Sequence, residues 1–152
     1  MAIILTKDNK MKFAEIADFE RMRREIGAEL LEPVNVCPGV RMWGDEESKC
    51  KAHTVNLMAS MLYRAIHGGD YMAGTVVVVG EDANGDIRDL TTNQALRMVA
   101  LLRKLRYLYH TGKLGKFEAT GPKCSIVSFD SWEDMLAYMN GKPAPSAKEV
   151  AQ

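Results

Sequence analysis

The sequence predicts an α+β domain, in which a small, mostly antiparallel β-sheet is packed by two to four helices. Four consecutive valines lie between Gly74 and Gly80, and such a β-branched run is typical of a strand buried on both faces at the centre of a sheet. The segment from Thr91 to His110 has the apolar period of one long helix. Strand and helix patterns do not alternate regularly, which favours α+β over a doubly wound parallel sheet.

At the N-terminal side, a short strand is predicted at Lys12–Ile16 and a helix at Phe19–Ile26. Asp18 is a suitable N-cap for this helix because its carboxylate accepts hydrogen bonds from free backbone N–H groups. Gly27 ends the helix, since glycine readily takes the left-handed conformation of a C-terminal cap. The apolar start, Met1–Leu5, is too short for a signal peptide and lacks a basic region.

Two strands joined by a tight turn are predicted next. The first covers Ala28–Val36 and contains Pro33, which has no N–H to donate, so the strand should lie at an edge or bend. A turn at Pro38-Gly39 leads to a strand at Val40–Trp43. The segment 44–48 is acidic and polar and is predicted to be an exposed turn.

The central part of the chain predicts a helix, a hairpin and the long helix. An amphipathic pattern covers Asn56–Ile66, and Asn84-Gly85 is a strong hairpin-turn signal before a return strand at Ile87–Leu90. Thr91 and Gln94 fit a capping box, from which the long helix is expected to run to about His110.

The C-terminal part predicts strands at Lys116–Ala119 and Cys124–Phe129, followed by a helix from Ser131 to Gly141. Residues 142–152 include two prolines and are expected to form a flexible tail. The domain prediction is therefore one α+β domain at 1–141 with a tail at 142–152.

Composition limits the classes of function. The chain of 152 residues holds 20 basic and 20 acidic side chains, so a general nucleic-acid coat, which needs a strong positive excess, is disfavoured. No apolar run approaches the roughly 20 residues of a membrane span. We expect a cytoplasmic protein without membrane contact.

No recognisable catalytic, metal or cofactor motif is present. Cys37, Cys50 and Cys124 form no C-x-x-C pair and are expected to be reduced, packed thiols. The histidines, at 53, 67 and 110, lack metal-ligand spacing. Phosphate-loop and nucleophile-elbow patterns are missing too. The sequence therefore predicts a protein that is not an enzyme and has no metal or cofactor.

The long helix breaks the charge balance. Between Arg97 and Lys116 there are six basic residues and no acidic one. Helical geometry places one set of apolar side chains together: Met98, Leu101, Leu102, Leu105, Leu108 and Tyr109. It gathers a cationic, aromatic set on the opposite side: Arg103, Arg106, Tyr107 and His110.

Two interpretations of the cationic set remain open. Two guanidiniums one turn apart can bind a phosphate, and a neighbouring tyrosine can stack a base, which predicts a nucleotide-binding surface. Alternatively, the set is a solvated face that pairs with acidic residues such as Glu81, Asp82 and Asp86. Trp43 and Asn93 complete the predicted ligand-binding set, with core packing as the alternative role of Trp43.

Several segments together resemble a small phage and prophage family of unknown function. They are Phe19–Gly27, Glu29–Val34, Trp43–Glu47, Asn56–Ala59, Asp70–Gly80 and Leu90–Gln94. In that family a glycine normally follows the acidic turn where Ser48 stands here. The resemblance covers about half of the chain and consists of structural motifs rather than chemical ones.

In size and style the chain is also similar to phage proteins that sequester nucleotide second messengers of bacterial immunity. Those proteins bind cyclic ADP-ribose isomers of Thoeris or cyclic oligonucleotides of CBASS without cleaving them, often between subunits of an oligomer. The similarity implies a homo-oligomeric binding protein in the host cytoplasm that takes a small nucleotide ligand. The alternatives are a phage inhibitor of a host protein, docking through the methionine-rich segment 56–66, and a nucleic-acid-binding accessory protein.

Overall fold

The computed structural model describes residues 1–16, 18–68 and 70–111, together with two short strands near the C-terminus. In chain order the elements are β1 Ala2–Leu5, β2 Met11–Ala14, α1 Phe19–Ile26, β3 Leu31–Cys37, β4 Val40–Asp45, α2 Leu57–His67, β5 Val76–Glu81, β6 Ile87–Arg88, α3 Thr92–His110, β7 Ile126–Val127 and β8 Ala147–Lys148.

The main sheet is antiparallel, with strand order β2-β1-β5-β4-β3, and β6 pairs with the end of β5. The valines of β5, Val76 to Val79, are completely buried and lie between β1 and β4. β7 and β8 form a separate antiparallel pair. The predicted α+β class, with a valine-rich central strand and a long helix, is confirmed.

The two faces of the sheet carry different helices. Alternate residues of β5 point to opposite faces, so Val78 packs with α2 and α3 while Val77 packs with α1. On the first face the helices contribute Leu62, Met98, Leu101, Leu102 and Leu105. On the second face α1 contributes Met22. Helix α3 therefore lies on the face of the sheet opposite α1.

Helix α1 has the predicted bounds because both predicted caps form. Asp18 accepts a hydrogen bond from the backbone N–H of Arg21 over 2.7 Å. Gly27 has φ of 76° and donates its N–H to the carbonyl of Arg23 over 2.8 Å. The left-handed conformation at Gly27 would strain any residue with a Cβ atom.

Strand β3 lies at the edge of the sheet, as Pro33 predicted. Pro33 stands opposite Trp43 of β4, and the register shifts between Asn35 and Cys37. An edge position tolerates the missing N–H of proline because the outer edge of the strand has no ladder partner.

Strand β1 was not predicted. Ala2–Leu5 is completely or almost completely buried and pairs with β2 on one side and β5 on the other. Four apolar residues cannot show a period that distinguishes a strand from other buried structure. The predicted strand at Lys12–Ile16 forms as its partner, shifted to Met11–Ala14.

The acidic segment is only in part the exposed turn that was predicted. Strand β4 continues through Asp45, which is 5% exposed, and Ser48 is also buried, while Glu46 and Glu47 are exposed. The return strand predicted at Ile87–Leu90 is shorter than expected, because β6 covers only Ile87–Arg88. Asp89 instead forms an ion pair of 2.9 Å with the N-terminal amine.

In the C-terminal part, β7 falls within the strand predicted at Cys124–Phe129 and pairs with β8, which lies in the segment predicted as a tail. The predicted strand at 116–119 and helix at 131–141 lie outside the described residues, as does the boundary between domain and tail.

Candidate functional site

Helix α3 positions the predicted cationic set through its cap and its buried face. The side chain of Thr91 accepts a hydrogen bond from the Gln94 N–H over 3.2 Å, and Gln94 Oε1 accepts from the Thr91 N–H over 2.9 Å. This confirms the capping box. The helix buries Met98, Leu101, Leu102 and Leu105 against the sheet. The remaining face of α3 therefore points outwards.

Four exposed side chains follow one another along this outer face, at spacings of three, one and three residues. They are Arg103, Arg106, Tyr107 and His110, and we call them the α3 stripe. Tyr107 is 57% exposed. Residues three and four positions apart are neighbours on one side of a helix. The structure thus brings together the four residues that the helical period placed together.

Within the described part of the chain, the side chains of Arg103, Arg106 and Tyr107 make no hydrogen bond or ion pair. His110 has a ring contact with Tyr109, with 5.7 Å between the ring centroids. The predicted apolar face is only partly correct, since Tyr109 is 45% exposed and Leu108 is half-buried. No side chain among the described residues engages either guanidinium.

Two of the acidic residues considered as partners of the stripe are engaged elsewhere. Glu81 Oε2 lies 2.5 Å from Arg41 Nε. Asp82 Oδ1 accepts the backbone N–H groups of Asn84 and Asp86 over 2.8 and 3.0 Å. Among the residues that the structure describes, the stripe is therefore a solvated face without the proposed acidic partners.

Trp43 and Asn93 do not join the stripe. Trp43 is half-buried on the α1 face, where its ring meets Phe19 edge-on with 5.5 Å between centroids. Asn93 Oδ1 accepts a hydrogen bond from Arg97 Nε over 3.1 Å. Asn93 also lies about 15 Å along the helix axis from Arg103, at about 1.5 Å per residue. Of the six predicted ligand-binding residues, the structure thus places four in the α3 stripe, and Trp43 and Asn93 away from it.

A polar cluster around the buried carboxylate of Asp45 was missed by the sequence reasoning. Asp45 Oδ2 accepts hydrogen bonds from Lys51 Nζ over 3.0 Å and from His53 Nε2 over 3.1 Å, and Oδ1 accepts the Glu47 N–H over 2.9 Å. Burial alone would raise the pKa of Asp45, but these hydrogen bonds and the Lys51 charge outweigh it and lower the pKa below its ordinary value. The cluster ties the loop after β4 to the sheet.

The residues of this cluster lie within eight positions of one another in the sequence. They come together in space because β4 extends to Asp45. The sequence signal for this cluster was a carboxylate at the end of a predicted strand, followed by Lys51 and His53. The neighbouring acidic residues made the segment read as an exposed turn instead. Across 1–16, 18–68 and 70–111, no three His, Cys, Asp or Glu side chains form a group that could hold a metal ion.

A pocket of about 480 Å³ lies at the other end of α3, beside the turn between β3 and β4. The side chain of Gln94 in the first turn of α3 reaches the carbonyl oxygen of Gly39, which lines the pocket, over 3.4 Å. From Gln94, Arg103 is about 14 Å further along the helix and His110 about 24 Å. The stripe and the pocket are separate sites.

None of the helices in the described part of the chain is both long and apolar enough to cross a bilayer.

Comparison with known proteins identifies a family but no characterised relative. No curated protein matches the chain significantly. No solved structure does so either. A family model described as a domain of unknown function, DUF3846, matches residues 1–103 of the 152. The match includes the pocket and Arg103, whereas Arg106, Tyr107 and His110 follow it. The chain is thus a member of the DUF3846 family.

Proposed function

We propose that the protein is a non-enzymatic binding protein that captures a small anionic nucleotide through the α3 stripe. The observation that supports this function is the exposure of Arg103, Arg106 and Tyr107 without any side-chain partner among the described residues. A guanidinium can donate two parallel hydrogen bonds to a phosphate. The neighbouring tyrosine ring offers a flat apolar surface to a base.

The energetics of such a surface favour a ligand held between two copies of the chain. Hydrogen bonds to charged groups contribute about 1.5–3 kcal/mol each, and stacking of one base about 1–3 kcal/mol. A convex helix face covers only one side of a ligand, whereas effective sites bury most of its surface. A second stripe would supply the missing wall and double the number of guanidiniums. Homo-oligomerisation is therefore part of this proposal.

The biological role that we propose is sequestration of an immune second messenger by a phage-encoded protein in the host cytoplasm. The support for this finer role is the resemblance to phage proteins that hold cyclic ADP-ribose isomers or cyclic oligonucleotides. Sequestration requires binding without cleavage, so the ligand recovered after incubation should be chemically unchanged.

A thermal-shift panel tests the proposed class of ligand. The panel contains cyclic dinucleotides, cyclic oligonucleotides and cyclic ADP-ribose isomers, with inorganic phosphate and neutral nucleosides as controls. At a ligand concentration about 100 times the Kd, binding adds about 2.7 kcal/mol to the free energy of unfolding and raises the melting temperature by several degrees. Failure of every anionic member to raise it would contradict the proposal.

Two further measurements separate the alternatives. A nucleic-acid-binding accessory protein should bind single- or double-stranded nucleic acid with an affinity that falls steeply with salt, because several phosphates release counterions. A protein inhibitor should co-purify with one host protein in stoichiometric amount. The nucleotide proposal instead predicts an oligomer of this chain alone that carries a bound nucleotide when isolated from a host with active signalling.

A further inference from the structure

The pocket at the β3–β4 turn is formed by three segments that are distant in sequence: 35–41, 66–67 and 81–82. Its volume of about 480 Å³ lies within the range of about 300–1,000 Å³ that is usual for small-molecule sites. All three segments fall within the residues that match the DUF3846 family. The pocket is distinct from the α3 stripe, so a ligand in the pocket is independent of the function proposed for the stripe.

The one guanidinium among the described lining residues is already paired with a carboxylate. Arg41 Nε lies 2.5 Å from Glu81 Oε2, and this ion pair neutralises the charge of the guanidinium. His67 Nε2 lies 2.8 Å from the carbonyl oxygen of Asn35. A carbonyl only accepts, so Nε2 carries the hydrogen, and in the neutral ring Nδ1 is an acceptor. Burial raises the pKa of the Cys37 thiol to about 12, which keeps it protonated and unreactive.

The pocket keeps a free hydrogen-bond acceptor and a net negative charge. Asp82 Oδ1 accepts two backbone N–H groups, whereas Oδ2 has no hydrogen-bond partner among the described residues. The formal charges of Arg41 (+1), Glu81 (−1) and Asp82 (−1) sum to −1. The carboxyl end of α2 also reaches the pocket at Ile66 and His67, and a helix carries partial negative charge there.

The partial positive charge at the N-terminal end of α3 does not cancel the negative charge of the pocket. Gln94 Nε2 donates to the Gly39 carbonyl oxygen, but no α3 residue lines the pocket. Two backbone N–H groups at this end are already bonded within the capping box. A phosphate or carboxylate in the pocket would have to approach two carboxylates, of which only one is neutralised.

We infer that this pocket binds a small organic cation, a primary amine or guanidinium compound whose positive group donates hydrogen bonds to the Asp82 carboxylate. The apolar part of such a ligand would lie against the uncharged wall near Ile66. Its additional donors would meet Nδ1 of His67. This ligand class is opposite in charge to the one proposed for α3.

Agmatine, which carries one amine and one guanidinium, is a suitable probe, with inorganic phosphate as the anionic comparison. Titration followed by ¹H–¹⁵N correlation spectra of the full chain should give saturable shifts at the amides of Gly39, Arg41 and Asp82. Phosphate should leave these amides unchanged. Variant Arg103→Gln/Arg106→Gln should bind agmatine as the wild type does, which keeps this test independent of the α3 proposal.

The substitution Asp82→Asn removes the charge but retains an oxygen that can accept the two turn N–H groups. The matched control is Asp86→Asn, which removes the same charge from the same turn at a position that does not line the pocket. Asp82→Asn should weaken agmatine binding by roughly tenfold or more, and Asp86→Asn by less than about twofold. Equal weakening by both variants would show a diffuse charge effect and overturn the inference.

A second variant keeps the test valid if Asp82→Asn disturbs the turn. Glu81→Gln frees the Arg41 guanidinium and brings the pocket to zero formal charge, so agmatine binding should weaken and phosphate should begin to shift the same amides. Absence of saturable agmatine shifts in the wild type up to about 10 mM would also overturn the inference.

Discussion

The side-chain amide of Asn56 donates a hydrogen bond of 2.8 Å to the carbonyl oxygen of Leu5, 51 residues earlier in the chain. The same amide donates to the carbonyl of Gly74 over 2.9 Å, and Asn56 Oδ1 accepts the Ala59 N–H over 3.0 Å as the N-cap of α2. Asn56 is completely buried. One side chain therefore joins the end of β1, the segment before β5 and the start of α2.

Replacing Asn56 with alanine should lower the free energy of unfolding by about 2–4 kcal/mol, because the helix loses its cap and two carbonyls lose their donors. Urea denaturation measures the change. Asn93→Ala is the control, since Asn93 is exposed and its side chain bonds within α3, to Arg97. It should cost less than about 1 kcal/mol. Similar losses in the two variants would contradict the role assigned to Asn56.

Asp45 should make stability depend on acid pH. Its pKa is lowered in the folded protein from 3.8, its ordinary value. A depressed carboxyl pKa contributes stability above the unfolded-state value, and this contribution is lost as pH falls through the folded-state value. The loss should therefore begin near the ordinary value of 3.8 and continue below it.

Asp45→Asn should remove that part of the acid dependence and cost about 1–3 kcal/mol at neutral pH, because Lys51 and His53 lose a charged acceptor. Denaturation of both proteins from neutral pH down to about pH 2 measures the two effects. Asp86→Asn should keep the wild-type profile. An Asp45→Asn profile with the wild-type acid slope would rule out this source of the dependence.

The two faces of α3 should respond very differently to truncation. Leu101 is completely buried, whereas Leu96 on the same helix is 66% exposed. Leu101→Ala should cost about 2–5 kcal/mol through lost burial and a cavity, and Leu96→Ala should stay within about 0.5 kcal/mol of the wild type. Melting temperatures and urea midpoints of the pair measure this difference. A costly Leu96→Ala would show that the outer face is covered.

Features encoded by a few neighbouring residues were predictable from the sequence. The caps at Asp18, Gly27 and Thr91 act within one helical turn, and the α3 stripe follows from the helical period alone. Pro33 indicated an edge strand because proline has no backbone N–H to donate to a neighbouring strand. The central valine strand follows from β-branched residues buried on both faces.

Features that depend on distant segments were not predictable. Strand β1 is defined by its pairing with β5, about 70 residues later, and its four apolar residues carry no period of their own. Asp45 becomes buried only because β4 extends to it, and the pocket needs 35–41, 66–67 and 81–82 to meet. Trp43 was included in the predicted ligand-binding set as an aromatic side chain that could stack a base, and the sequence did not show that it packs on the α1 face of the sheet.

The proposed function requires that Arg103 and Arg106 bind the phosphates of a nucleotide. The decisive experiment is isothermal titration of the anion selected by the thermal-shift panel, into wild type and into Arg103→Gln/Arg106→Gln. The charge-matched control is Arg24→Gln/Arg88→Gln, which removes two exposed guanidiniums from α1 and β6. We predict that the α3 variant binds at least about tenfold more weakly, from the loss of about 1.4 kcal/mol or more, while the control binds within about twofold of the wild type. Unchanged affinity in the α3 variant, or an equal loss in both variants, would contradict the proposed role of the two arginines.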